Sequence, residues 1–240
     1  MTEGAPAGRA VIAVYDLDGT ITRSDTFVPF LLGFLARNPW RVFRCGLLPF
    51  YALAFRSGLC GNSFAKQKFL AAICGGASRK ALADHSAEFA AAVVRGGLLP
   101  GALASIEAHR TRGDRLILIS ASLDLYVDVI ARHLRFDDVI ASKTRGGRLD
   151  GENCYGASKV ARLKALLAMD THETQVIAYS DHASDLPLLA VADVGYVVNP
   201  KPAMRRLAEA NGLPVLNWSA SSERTLRRAG FRFQRPGIFS

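Results

Sequence analysis

Five apolar residues, Val11 to Tyr15, run without a break into Asp16-Leu17-Asp18-Gly19-Thr20. A short β-branched run cut off by a polar turn reads as a strand buried on both faces, which is the habit of a parallel sheet. Parallel strands need crossover connections, so this feature commits the chain to an α/β architecture. The i, i+2 spacing of the two aspartates sends both carboxylates to one side of the strand end and Leu17 to the other.

The remainder of the chain fits that commitment. Residues 26–37, 40–56, 63–74 and 78–95 read as apolar-aromatic helices, broken at Asn38-Pro39, Ser57-Gly58 and Gly75-Gly76. From Pro100-Gly101 onward helix and strand alternate. The pattern predicts a helix to residue 112, a strand over 115–119, a helix over 123–134, a hairpin over 139–151 turning at Gly146-Gly147, and a helix over 157–169. Strands follow at 175–179 and 194–198. The expected organisation is a disordered arm at 1–8, a three-layer Rossmann-like core from residues 9–24 with 100–218, an inserted helical cap at 25–99, and a basic tail at 219–240.

With 240 residues, half of them apolar, the chain can bury a full core without covalent staples. Cys45, Cys60, Cys74 and Cys154 form no C-x-x-C pair, which predicts reduced thiols and a cytoplasmic location. The first ten residues lack the basic and apolar regions of a signal peptide. The uncharged run from Cys45 to Phe55 falls short of the ~20 residues that span a bilayer. None of the five histidines forms an i, i+4 pair around a glutamate, which argues against a zinc hydrolase.

The formal charge of +9 is unevenly spread. Between Phe27 and Ala83 there is no Asp or Glu, whereas Arg37, Arg41, Arg44, Arg56, Lys66, Lys68, Arg79 and Lys80 fall there. A second basic run, Arg224, Arg227, Arg228, Arg232 and Arg235, closes the chain. Anionic partners are expected. Without a helix-turn-helix signature or a stacking-aromatic motif, a specific nucleic acid is not among them. Aromatics and arginines interleave from Phe27 to Tyr51, a surface able to rest among lipid headgroups with arginines turned toward phosphates. The competing reading is an apolar face packed on itself or on a second copy, so the chain is expected as a monomer or a homodimer.

Ligands of open α/β sheets gather at the carboxyl ends of strands. Besides Asp16 and Asp18, those positions hold Ser120-Ala121-Ser122, Lys159 at a helix start, and Ser180-Asp181-His182-Ala183-Ser184-Asp185. Two acidic turns, a hydroxyl turn and a lysine suit phosphoryl transfer, in which the protein positions the group and neutralises its charge. Carboxylates alone repel phosphate, and a hard cation such as Mg²⁺ resolves that conflict. Asp16 is then a candidate nucleophile and Asp18 a candidate general acid and base. Either Ser120 or Ser122 can meet the phosphate, with Ser120 nearer the expected strand end.

This set resembles the haloacid dehalogenase superfamily of phosphohydrolases, subfamily IB, which contains phosphoserine phosphatases and phosphatidylglycerophosphatase C. The resemblance implies Asp16 as nucleophile, Asp18 as acid/base, Ser120 and Lys159 on the phosphate, and Mg²⁺ held by Asp16, Asp181 and the Asp18 backbone carbonyl, with Asp185 behind. It further implies an aspartyl-phosphate intermediate. Asp25 stands where a phosphoserine phosphatase has glutamate, Ser180 where many relatives have glycine, and Ser184 where asparagine is usual. Tyr179-Ser180-Asp181 and Pro187-Leu188-Leu189 are similar to the phosphatidylglycerophosphatase C side. The expected substrate is a phosphomonoester, in the first instance a lipid phosphate such as phosphatidylglycerophosphate met at an anionic membrane surface. The alternatives are a small-metabolite phosphatase of the phosphoserine type and a regulatory relative with weak turnover.

Overall fold

The computed structural model describes residues 10–168 and 174–219, so the expected arm and the five arginines of the tail lie outside the described residues. In chain order, β1 (Ala10–Tyr15) is followed by α1 (Phe27–Arg37), a 3₁₀ helix (Pro39–Arg44), α2 (Leu48–Arg56), α3 (Asn62–Ile73) and α4 (Arg79–Gly96). Then come α5 (Pro100–Arg112), β2 (Arg115–Leu123), α6 (Asp124–Leu134), β3 (Asp138–Ser142), β4 (Thr144–Arg145), β5 (Arg148–Leu149) and α7 (Ala157–Leu167). The described chain closes with β6 (Thr174–Ser180), α8 (Leu186–Val191), β7 (Val194–Val198), α9 (Pro202–Ala210) and β8 (Val215–Leu216).

Six strands form one parallel sheet in the order β3-β2-β1-β6-β7-β8, with β1 between β2 and β6. The period of two along each strand divides the apolar residues between two cores. Ala13, Tyr15, Leu116 and Leu118 face one that also contains Ile106 of α5 and Val127 of α6. Ile12, Val14, Ile117 and Ile119 face another with Leu163 of α7, Leu188 of α8 and Met204 of α9. Helices thus cover both faces of the sheet, giving the three layers of an α/β fold.

Three elements differ from the sequence pattern. The expected hairpin over 139–151 divides: Val139 to Ser142 belong to β3, which pairs parallel with β2, and only β4 and β5 form the hairpin. The apolar run after Asp138 is drawn to the buried sheet, while Gly146 and Gly147 take the positive φ of the turn. Gly147 passes so close to the Cys74 carbonyl that any side chain there would collide, which ties the hairpin to the end of α3. The expected helix over 40–56 is interrupted between Arg44 and Leu48, because Pro49 cannot donate into a continuing helix and instead starts α2. The strand expected at 115–119 continues to Leu123.

Helices α1 to α4 leave and rejoin the sheet through two adjacent segments. Thr22 and Leu98 form an antiparallel bridge; Arg23 donates its N–H to the Gly97 carbonyl at 2.8 Å, and Leu99 to the Ile21 carbonyl at 2.9 Å. Arg41, expected on the surface, is buried, donating to the carbonyls of Ile73 and Gly75 at 2.9 and 3.0 Å. Its guanidinium sits where the C-terminal dipole of α3 favours a cation. Among the described residues no helix is long and apolar enough to cross a membrane.

Candidate active site

Loops from several strands converge at the carboxyl edge of the sheet. Asp16 keeps the register of β1 by donating its N–H to the Tyr179 carbonyl at 3.0 Å. The chain then turns over Gly19, whose φ of 77° disfavours any side chain. The Leu17 carbonyl closes the turn by accepting the N–H groups of Ile21 and Thr22 at 2.9 Å. A Cβ at Gly19 would also strike the Asp181 carboxylate, so glycine is what lets the two acidic turns approach.

Lys159, in the first turn of α7, joins two of the acids. Its Nζ donates to Asp16 Oδ1 at 2.6 Å and to Asp185 Oδ2 at 2.7 Å, and all three residues are buried. Ser180, at the end of β6, donates a further bond to Asp185 Oδ2 at 2.7 Å. Burial works against the Lys159 ammonium, but the facing Asp16 and Asp185 carboxylates outweigh it and raise its pKa. Burial likewise pushes the Asp16 carboxyl up; Lys159 opposes this, and Asp185 and Asp18 add to it.

Asp18 faces a separate set of donors. Its Oδ1 accepts the backbone N–H and the hydroxyl of Thr26 at 2.7 and 2.6 Å, and its Oδ2 accepts the Ser122 hydroxyl at 2.5 Å. The Tyr126 hydroxyl lies 3.1 Å from Thr26 Oγ1 and backs the cluster. Burial and then Asp25 raise the Asp18 carboxyl, while the bonds from Ser122 and Thr26 pull it down. A carboxyl so balanced is suited to hold and release a proton.

Asp181 is pushed up to about 6, by burial first, with His182 opposing and Asp185 adding. Its Oδ1 is buried and has no hydrogen-bond partner among the described residues. The carboxylates of Asp16, Asp18, Asp181 and Asp185 thus share the cavity lining with two buried lysines, Lys159 and Lys66, an excess of negative charge that calls for a cation. Among the described residues no three His, Cys, Asp or Glu side chains form a ready metal cluster. Asp185 is turned to Lys159 and Ser180, and the Asp18 side chain to Thr26 and Ser122. The side chains left to a hard cation are therefore Asp16 and the unpartnered Asp181 oxygen, completed by water or substrate oxygens.

These groups floor a cavity of about 970 Å³. Phe27, Val28, Phe55, Phe69 and Leu99 contribute apolar wall, and Arg23, Asp25 and Arg56 also line it. Ser122 lines the cavity, whereas Ser120 is fully buried and its Oγ accepts the Ser122 N–H at 3.0 Å. Because β2 runs on to Leu123, the hydroxyl that faces the cavity is three residues past the expected strand end at Ile119. The exposed His182 lines it too, its Nδ1 accepting the Ser184 N–H at 3.1 Å.

Lys66 and Thr26 were not singled out as site residues from the sequence. Lys66 Nζ donates to the Ala121 carbonyl at 2.6 Å and to Asn153 Oδ1 at 3.3 Å. Burial lowers its pKa to about 8, with Asp18 and Asp25 opposing. The only sequence signal was that Lys66 is a cation in a segment without acids, and Thr26 carried none beyond its place at a helix start.

A parallel sheet that gathers four aspartates and a buried lysine at its carboxyl edge defines an α/β enzyme. Residues 13–190 match the family model of haloacid dehalogenase-like hydrolases, and the chain belongs to that family. It is 32% identical over 204 residues to the protein CicA of Caulobacter vibrioides, covering 80% of this chain and 89% of that protein. It is 29% identical over 229 residues to a probable phosphatase of Mycobacterium tuberculosis, covering 91% of this chain and 79% of the relative. Among solved structures it resembles a protein of unknown function from Bordetella pertussis, with a TM-score of 0.72 and 26% identity over 86% of this chain and 98% of that one.

Proposed function

We propose that this hydrolase is a magnesium-dependent phosphomonoesterase of the subfamily IB type, working through an aspartyl-phosphate on Asp16. The observation that carries the reading is the pairing of Asp16 with Lys159 beside the unpartnered Asp181 oxygen. In this reading the Asp16 carboxylate attacks phosphorus, the bond from phosphorus to the ester oxygen breaks, and Asp18 gives its proton to the leaving oxygen. Asp18 then takes a proton from water as the water oxygen attacks phosphorus, which releases inorganic phosphate and restores Asp16. Lys159 fixes the attacking carboxylate and neutralises phosphoryl oxygens. Asp16, Asp181 and the Asp18 backbone carbonyl, with Asp185 behind, would hold Mg²⁺, which when bound would supply the remaining charge neutralisation. A hydroxyl of the Ser120-Ala121-Ser122 turn meets the phosphate: resemblance favours Ser120, and the cavity wall favours Ser122.

Residues 25–99 act in this reading as a cap over a core of 9–24 and 100–218. The apolar wall and the arginines of the cavity support a lipid phosphate such as phosphatidylglycerophosphate as substrate. A second reading, a small amino-bearing phosphate, is favoured by the exposed Asp25 carboxylate in the cavity lining, which can meet an ammonium. The test is phosphate release from p-nitrophenyl phosphate with Mg²⁺, with chelator, and in Asp16→Asn, followed by a panel including phosphoserine and a lipid phosphate in detergent. Chelator and substitution should each abolish release; turnover by Asp16→Asn equal to the parent would overturn the nucleophile.

A further inference from the structure

Most of the exposed large apolar side chains among the described residues fall between Val28 and Phe64. They concentrate on the 3₁₀ helix, α2 and the turn after it. Phe43 is 90% exposed, Leu59 83%, Phe50 68%, Leu47 62% and Trp40 57%. A soluble surface rarely carries so many large exposed apolar side chains on one segment without a partner. Helical packing does not explain it, because the buried stripe of the same segment is separate: Phe30, Phe34, Leu48 and Leu70 lie in the core.

Charge identifies the partner. No carboxylate occurs from Phe27 to Ala83, while Arg56 is exposed beside the apolar residues and the exposed Arg44, whose guanidinium donates to the Ala71 and Gly75 carbonyls, adds its charge to the same surface. A second copy docking through the same patch about a two-fold axis would set this basic surface against itself. An anionic bilayer offers the complement, acyl chains for the aromatics and phosphates for the arginines, with each basic residue contributing ~1 kcal/mol near the surface. Position adds a second argument. Ala52, Phe55 and Arg56 of α2 line the cavity over Asp16, so the apolar helix and the cavity wall are continuous.

We infer that residues 40–59 dock on an anionic membrane surface, so that a phosphomonoester lipid enters the cavity from the bilayer. The docking stands on the exposed residues alone; the delivery of substrate rests on the phosphomonoesterase reading. Phe43, Leu47 and Phe50 do not line the cavity, so replacing them tests docking without touching the reaction.

The experiment uses the full chain, sedimented with vesicles of phosphatidylcholine or of phosphatidylglycerol. Phosphatidylglycerol should carry the protein down, less so as salt rises, because exposed charges are screened within about 8 Å at physiological ionic strength. Trp40 is exposed and Trp218 buried, so a blue shift of tryptophan emission on binding reports Trp40. Phe43→Asp with Phe50→Asp should lower partitioning at least about tenfold, since acidic groups replace inserted apolar area. Hydrolysis of vesicle-borne phosphatidate should fall with it, and p-nitrophenyl phosphate turnover should stay at the parent level. No binding to phosphatidylglycerol, binding unchanged in the double variant, or a stable dimer broken by the double variant would each overturn the docking. If p-nitrophenyl phosphate is hydrolysed and vesicles are ignored, the docking falls and the phosphatase reading stands. Vesicle binding through these residues without any phosphate release would keep the docking and remove the delivery.

Discussion

Ser122 and Asp18 lie 104 residues apart, and the serine hydroxyl donates to Asp18 Oδ2 at 2.5 Å. With the two bonds from Thr26 on Oδ1, this holds the Asp18 side chain away from Lys159, so the two neighbouring aspartates take separate partners. Thr26→Val removes one of these donors. The lost bond favoured the ionised carboxylate, so the Asp18 pKa should rise further. The limb of the rate profile on which activity falls with rising pH should move upward. Turnover of alkyl phosphates should drop about tenfold or more, and that of p-nitrophenyl phosphate less, because its leaving group needs little proton help. Thr26→Ser should restore both, and an unchanged pH profile in Thr26→Val would count against Asp18 as the acid.

Removing Lys159 leaves Asp16 and Asp185 buried without their shared cation. Breaking a buried pair from one side typically costs 3–5 kcal/mol, roughly, and Lys159→Met should show a loss of that order by denaturant unfolding. Adding Asp185→Asn should return part of the stability while activity stays lost. Independent, additive effects of the two substitutions would show that the ion pair seen here does not govern stability.

Lys66 is held at a pKa of about 8 against its ordinary 10.5. Between those values the unfolded chain binds a proton that the folded chain does not, so stability rises with pH across this window. Below pH 8 the buried ammonium costs stability, on the order of 3 kcal/mol from the size of the shift. Lys66→Met should therefore be at least as stable as the parent at pH 7 and should flatten the rise between pH 8 and 10.5. Equilibrium unfolding at several pH values measures this; a parent and variant with parallel pH curves would contradict it.

Asp181 has its pKa raised to about 6, so without a cation its ionisation costs stability that is present below pH 3.8 and lost as pH rises through 6. Mg²⁺ should restore it, and a ligand at a hundred times its dissociation constant adds about 2.7 kcal/mol. Asp181→Asn should raise the melting temperature of the metal-free protein and abolish most of the shift that Mg²⁺ produces. An equal Mg²⁺ shift in parent and variant would remove Asp181 from the cation site.

The gathering of Asp16, Asp18, Asp181 and Asp185 at the carboxyl edge of the sheet was legible because both acidic turns follow an apolar strand that ends abruptly. The strand at Val194–Val198 was readable to the residue for the same reason. Lys159 depended on its place in the chain order. What could not be read was contact across long separations. Ser122 stands in the turn the sequence marks, but its bond to Asp18, and those of Thr26 to Asp18 and to Tyr126, form only after α1 and α6 come together over the sheet. Lys66 was hidden because a lysine in a basic helix looks solvated until the Ala121 carbonyl is found in front of it. The hairpin boundary was misjudged because Val139 satisfies both a two-stranded ribbon and a sheet, and burial chose the sheet.

The bridge between Thr22 and Leu98 brings the ends of a long excursion together at one edge of the sheet. Lengthening a loop whose ends already meet adds cost only with the logarithm of its length. The sheet can therefore tolerate different segments at this point over evolutionary time, exchanged whole, without altering the order of its strands. Such an exchange is limited less by folding than by two tethers, Thr26 on Asp18 and Lys66 on the Ala121 carbonyl, which any replacement must supply again. A graft that keeps both contacts is the natural route by which this hydrolase could be given a new clientele.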